Sequence, residues 1–287
     1  MTEDSGPPLL FDPRRRAAAR DKAHARFAGH DFLYRFMLDG LLERLDDVKR
    51  GFARALIIGC PDDSARDALV AKGIEVTCLD PGARNAAAVN GIQAEEDALP
   101  FSPNSFDLVL GCGTLDSVND LPGALIVIRN VLKPDGLFLG VCLGAGSLPR
   151  LRQALLSAEG DSPRPHIHPQ TDVRAMGDLL SRAGFAMPVA DSEALTVRYS
   201  SMLRLMHDLR YMAAGNVMSA DRRGPLTRTI VARAAAYFAD AADPDGKTAE
   251  MFSILHMSGW KPDASQPAPA RRGSATVSLA QALKSRG

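Results

Sequence analysis

Between Ala55 and Leu143 the chain alternates short apolar runs with segments of helical period, and no other feature restricts its fold as strongly. The runs Ala55–Gly59, Glu75–Leu79, Phe106–Leu110 and Leu137–Leu143 have strand length, and the last is apolar throughout, as a strand covered on both faces must be. Between them, Ser64–Lys72, Arg84–Val89 and Pro122–Leu132 carry helical spacing, with Asp120 placed to cap the third and Pro122 in its first turn. Turns are marked by Asp80-Pro81-Gly82, Ser102-Pro103-Asn104-Ser105 and Lys133-Pro134-Asp135-Gly136. Strands that alternate with helices predict an α/β fold, a mostly parallel sheet with helices on both faces.

The flanking segments follow other rules. From Asp12 to Leu45, Phe27, Tyr34, Met37, Leu38, Leu41, Leu42 and Leu45 recur every three or four residues, which predicts a helical lead-in. Beyond Gly146, Leu148–Ala158 and Thr171–Ala183 read as helices around a Pro/His loop, Ser162–Pro169. Leu195–Tyr199 reads as a strand, Met202–Ala214 and Leu226–Phe238 as helices, and Glu250–Trp260 as a closing strand with Trp260 as a core anchor. The organisation expected is a helical extension over 1–50, a main domain over 51–260 with a helical insertion at about 201–243, and an extended tail over 261–287.

Composition narrows the function. With 34 Lys+Arg against 34 Asp+Glu among 287 residues, the general attraction to a nucleic-acid backbone is missing, so no nucleic-acid partner is expected. No run of about 18 apolar residues occurs, which leaves no candidate membrane-spanning helix. Cys60, Cys78, Cys112 and Cys142 form no C-x-x-C pair, and buried free thiols point to a reducing compartment, read as the cytoplasm. Arg14, Arg15, Arg16, Arg20, Lys22 and Arg26 could imitate a transit peptide, but Glu3, Asp4, Asp12 and Asp21 argue against one.

In an open parallel sheet a ligand sits beyond the carboxyl ends of the strands. Those ends are Gly59–Asp63, Asp80, Glu95–Asp97 and Gly111–Asp116. A carboxylate ending the second strand can accept both hydroxyls of a ribose, and Asp80 has that place; an ordinary Asp-Pro-Gly turn accounts for it equally well. Asp116 is a candidate general base against a default of helix capping or solvent exposure. His166 and His168 flank one residue but lack a neighbouring metal-ligating partner in sequence, so no metal site is expected and a structural loop is favoured over a substrate mouth. The basic clusters Arg14–Arg26 and Arg271-Arg272 read as solvated surface or as a docking site for an acidic protein.

Taken in order, these segments resemble a class I S-adenosylmethionine-dependent methyltransferase. The stretch Glu96-Asp97-Ala98-Leu99-Pro100-Phe101 before Ser105-Phe106-Asp107-Leu108-Val109 resembles that family's acidic adenine-contact motif and fourth strand, and Leu132-Lys133-Pro134-Asp135-Gly136 its turn into the fifth. More narrowly, the chain resembles the branch of assembly factors that serve respiratory complex I, and more distantly the malonyl-carrier-protein methyltransferase of biotin synthesis. Phe11-Asp12, Val118–Pro122, Pro165–Pro169, Thr196–Tyr199, Gly259-Trp260 and Gly273–Val277 carry that narrower likeness. It implies a Rossmann-like seven-stranded sheet with its last strand reversed, S-adenosylmethionine as cofactor, and contacts from Gly59, Cys60, Asp80, Pro81, Asp97, Ala98 and Gly111. It also implies a protein partner, a subunit of complex I or of the bacterial NADH dehydrogenase, for which the modification proposed in that branch is arginine hydroxylation.

The departures bear on chemistry. Ile57 stands where the family has Asp, and Pro61 and Asp63 replace two glycines of its first turn. Like charges 4 Å apart at an effective dielectric near 20 repel by about 4 kcal/mol, enough to abolish binding, yet Asp62 or Asp63 could instead pair with the cofactor's positive end. After the fourth strand, Asp116 stands where the branch often has His and Ser117 where it often has Trp, and the Pro-Pro-aromatic motif of nitrogen methyltransferases is missing. Three functions therefore compete: a methyltransferase, an assembly factor that uses the fold without turnover, and, least supported for want of a Gly-x-Gly-x-x-Gly turn, a nicotinamide dehydrogenase.

Overall fold

The computed structural model describes residues 9–160, 163–220 and 226–266. Arg271, Arg272, Gly273–Val277 and most of the expected tail lie outside the described residues. The centre is a seven-stranded sheet made of β1 (Arg54–Ile58), β2 (Glu75–Asp80), β3 (Ile92–Gln93), β4 (Phe106–Cys112), β5 (Leu132–Leu143), β6 (Ala186–Tyr199) and β7 (Thr248–Trp260). Its order is β3-β2-β1-β4-β5-β7-β6, with every pair from β3 to β5 parallel and β7 antiparallel to both its neighbours. The reversed last strand is as expected.

The alternation along the central strands divides the core in two. Ala55 and Ile57 of β1, Leu108 and Leu110 of β4, and Leu137, Leu139 and Val141 of β5 face one layer; Leu56, Ile58, Val109 and Phe138 face the other. The first layer is closed by α2 (Phe32–Asp46), α3 (Ser64–Ala71), α6 (Pro149–Glu159), α8 (Met202–Tyr211) and α9 (Arg228–Asp240). The second is closed by α5 (Leu121–Val131) and α7 (Val173–Arg182). Asp120 caps α5 by accepting from the Gly123 N–H at 2.8 Å, with Pro122 in the first turn. The insertion helices α8 and α9 lie between β6 and β7 in the chain.

Several elements differ from the sequence reading. The N-terminal lead-in is two helices, α1 (Pro13–His24) and α2, separated by a 3-10 turn at Phe27–Gly29. The turn at Lys133–Gly136 is present as a bulge: Phe106 pairs with Leu132 and Leu108 with Leu137, so four residues of β5 stand opposite one of β4, with Asp135 at φ 58°. The strand expected at Leu195–Tyr199 begins at Ala186, because pairing with β7 runs from Ala186↔Trp260 to Tyr199↔Thr248. Trp260 is half-buried beside Arg50, whose guanidinium lies 5.9 Å from its ring, and is a lid on the core margin instead of an anchor within it.

Leu41 is fully buried where α2 lies on the sheet. Leu41→Ala is expected to cost about 2–5 kcal/mol of folding stability, measured by urea unfolding, since the sheet cannot move in to fill the void.

Candidate functional site

The strand ends are covered by α1, and the contact is electrostatic. Asp12 caps this helix through the Arg15 N–H at 3.1 Å, Pro13 occupies its first turn, and Arg16, Arg20 and Ala23 fall on one buried stripe. The start of α1 is pinned by Asn119, which accepts from the Phe11 N–H at 2.9 Å and returns its own amide to the Phe11 carbonyl at 3.0 Å. A second tie is the Asp12 N–H to the Val217 carbonyl at 2.9 Å.

Asp80 ends β2 and is fully buried. Its Oδ1 accepts from Arg20 Nε at 2.7 Å and the Gly82 N–H at 2.8 Å, and its Oδ2 from Arg20 Nη2 at 2.5 Å and the Cys60 N–H at 2.9 Å. With a longer bond from the Asn85 amide to Oδ1 at 3.4 Å, these bonds leave no acceptor site of the carboxylate open. Burial works against the Arg20 charge, and the adjacent Asp80 more than offsets it, so the guanidinium pKa is raised. Beside this pair, Arg16 donates to both oxygens of Glu96 at 2.8 and 2.7 Å, to Glu95 at 2.5 Å, to Ser117 Oγ at 3.0 Å and to the Thr114 carbonyl at 2.9 Å. Arg16 and Arg20 are therefore neither solvated nor docked on another protein; the acidic surface they meet is internal.

The other expected contact residues are placed as follows. Gly59 follows β1 at φ +88°, where a Cβ would stand 2.3 Å from the Cys112 carbonyl oxygen and 2.7 Å from Thr114 Cγ2, so only glycine lets these two strand ends approach. Cys60 and Pro81 are buried, and the Pro81 carbonyl accepts from Gln93 at 3.2 Å. Asp97 is half-buried, and burial pushes its carboxyl up from the usual range. Ala98 is exposed; the buried carboxylate of that stretch is Glu96. Gly111 sits inside β4 opposite Ile58, while Gly113, at φ +69°, reaches the rim.

A crevice of about 790 Å³, including its open mouth, lies between α1, α2, the end of β4 and the 212–217 segment. Arg16, Arg20, Pro61, Gly113 and Asp116 line it, and the apolar side of its wall includes Phe27, Met37, Leu143 and Val217. Arg20 thus stands between Asp80 and the open space. Asp116, in the 3-10 turn Leu115–Ser117, is half-buried on the wall; burial pushes its carboxyl up to about 6, against the pull of Arg16. It neither caps a helix nor faces open solvent. His168 also lines the crevice, accepts from the Val217 N–H at 2.9 Å and packs edge-on against Phe11, and burial lowers its pKa to about 4. His166 instead pairs with Glu159 at 2.6 Å. Among the described residues no group of three or more His, Cys, Asp or Glu side chains is placed to hold a metal ion.

Known proteins share both the fold and the sequence. Residues 56–140 match the family model described as Methyltransferase domain. The "Arginine-hydroxylase NDUFAF5, mitochondrial" of Danio rerio is 37% identical over 96% of this chain and 90% of its own length. The chain belongs to this family. A malonyl-[acyl-carrier protein] O-methyltransferase of Methylovorus is 30% identical over 92% of the chain and 93% of its own length. The fold alone is shared with the YcgJ protein of Bacillus subtilis, at TM-score 0.56 and 17% identity over 80% of this chain and all of that one.

Because the Asp116 carboxyl holds its proton up to about pH 6 in the folded chain and only to about 3.8 when unfolded, its ionisation is a folding cost that grows as pH rises between those values. Asp116→Asn is therefore expected to stabilise the fold at pH 7 by up to about 3 kcal/mol, with the gain gone by pH 4, in urea unfolding at the two pH values.

Proposed function

We propose that the chain is an S-adenosylmethionine-dependent methyltransferase-fold protein that modifies an arginine on a subunit of respiratory complex I, or of the bacterial NADH dehydrogenase, during its maturation. The reading is supported by the family, whose members carry arginine in their name, and by the donor set at the strand ends. Asp80 would take the ribose, Gly59 and Cys60 the backbone approach beside it, and Pro81, Asp97, Ala98 and Gly111 the remaining contacts. When bound, the cofactor supplies an electrophilic methyl group. Methyl transfer is the reaction that the matched domain carries by name and hydroxylation the one that the relatives carry; the intact mass of the treated subunit separates an added methyl from an added oxygen atom. The site of action is the cytoplasm, or for the relatives named mitochondrial the organelle, with the partner approached from the aqueous side.

The residues fit this cofactor in kind, with one exchange required. Every acceptor site of Asp80 is filled, two of its hydrogen bonds coming from Arg20, so a ribose can be held there only if the guanidinium withdraws. The observation that carries the proposal, a carboxylate at the end of β2, therefore also supports a second reading. If Arg20 never leaves, the chain is an assembly factor that keeps the fold as a binding surface.

Calorimetric titration with S-adenosylmethionine decides between them. The parent is expected to bind and Asp80→Ala to lose binding. Arg20→Ala is expected to bind more tightly than the parent, while its ligand-free form loses about 3–5 kcal/mol of stability because Asp80 is left buried and unpaired. No heat from either the parent or Arg20→Ala would leave the non-catalytic reading standing.

A further inference from the structure

The crevice carries one charge that the protein does not match. Arg20 is spent on Asp80, and Arg16 on Glu95 and Glu96. Asp116 shares the wall with them, yet it enters no ion pair among the described residues. The charged side chains gathered here are thus the buried Arg16 and Arg20 against the buried Asp80 and Glu96, with half-buried Asp116 and Glu95 in addition. An unpaired carboxylate facing apolar walls is costly unless something arriving from outside completes it.

We infer that Asp116 is the recognition point for a guanidinium, the side chain of an arginine presented by a protein partner and inserted into the crevice. A planar guanidinium is more weakly hydrated than an ammonium and offers a carboxylate two parallel donors, so a site with partly apolar walls favours it over lysine. Its methylene stem suits the apolar side formed by Met37, Leu143 and Val217, and the rings of Tyr34 and Phe27 lie on the same wall. The excess negative charge is what a cation neutralises on entry. The inference rests on the reading of this crevice as the place where the partner's arginine is received, and adds to it the residue that selects that side chain.

The pH dependence follows from the groups that face Asp116. Arg16 and Arg20 from α1 remain charged, and burial keeps Tyr34 of α2 and Cys112 of β4 in their neutral forms. His168 is neutral above about pH 4, and His24 of α1, on the same wall, contacts Asn85 through its ring. Binding of a guanidinium should strengthen as pH rises through about 6, when Asp116 ionises.

The probe is a blocked Gly-Arg-Gly peptide against its citrulline counterpart, which has the same shape and no charge, titrated by calorimetry into the full chain with and without S-adenosylmethionine. The parent should prefer the arginine peptide by about tenfold or more, as expected for one charge-assisted pair. Asp116→Asn should erase the preference and its pH dependence, and Asp116→Glu should restore part of both. A parent with no preference up to about 10 mM peptide, or an Asp116→Asn variant that keeps it, overturns the inference. So does a pH slope that survives in Asp116→Asn. Cofactor binding without an arginine preference refutes this inference and leaves the proposed function standing; an arginine preference without cofactor binding does the reverse.

Discussion

Two guanidinium–carboxylate pairs, Arg20–Asp80 and Arg16–Glu96, hold a helix with no apolar stripe against the carboxyl ends of a parallel sheet. Burying four charges is expensive, and the arrangement stands because each carboxylate meets a two-pronged guanidinium and Asp80 also accepts from two backbone N–H groups. The place of α1, the depth of the crevice and the covering of the β2 carboxylate follow from that match. Apolar packing could also have docked a helix here, but it would have put no charge on the crevice wall. With ion pairs as the adhesive, the cover over Asp80 is held by a hydrogen-bonding complement and not by apolar area.

The sheet was legible in the sequence wherever burial leaves no choice. Strands β1, β4 and β5 are covered on both faces, so their apolar runs stand out against polar turns. Legibility fails where a strand owes its state to a neighbour. The half of β6 from Ala186 to Ala194 is mostly exposed, contains Pro188, Asp191, Ser192 and Glu193, and has little strand propensity of its own; its hydrogen bonds to β7 impose the conformation. Two-residue β3 is too short for any period to appear.

The site was legible in its location and not in its cover. Strand ends mark where a ligand can lie in such a sheet, and Asp80 and Gly59 were found by that rule. Arg16 and Arg20 were missed because hydropathy periodicity detects apolar stripes, and this buried stripe is charged. The available signal was their four-residue spacing, which places both on one face of α1, together with Asp12 and Pro13 fixing where the helix starts. Nor could periodicity separate Glu96 from Asp97, adjacent carboxylates on a turn, of which one is buried and the other half-exposed.

The strand order also bears on how the chain is made. Reversed β7 lies between β5 and β6, so among the described residues β7 is the neighbour against which β6 forms its hydrogen bonds. During synthesis β6 leaves the ribosome about 60 residues before β7 is complete, an interval of roughly 3–12 s at ordinary elongation rates. Through that interval a fourteen-residue strand has neither edge satisfied. Pro188 and the irregular pairing at Ala186–Val189 make one end of it a poor template for intermolecular pairing, which matters most to a nascent chain waiting for its inner strand.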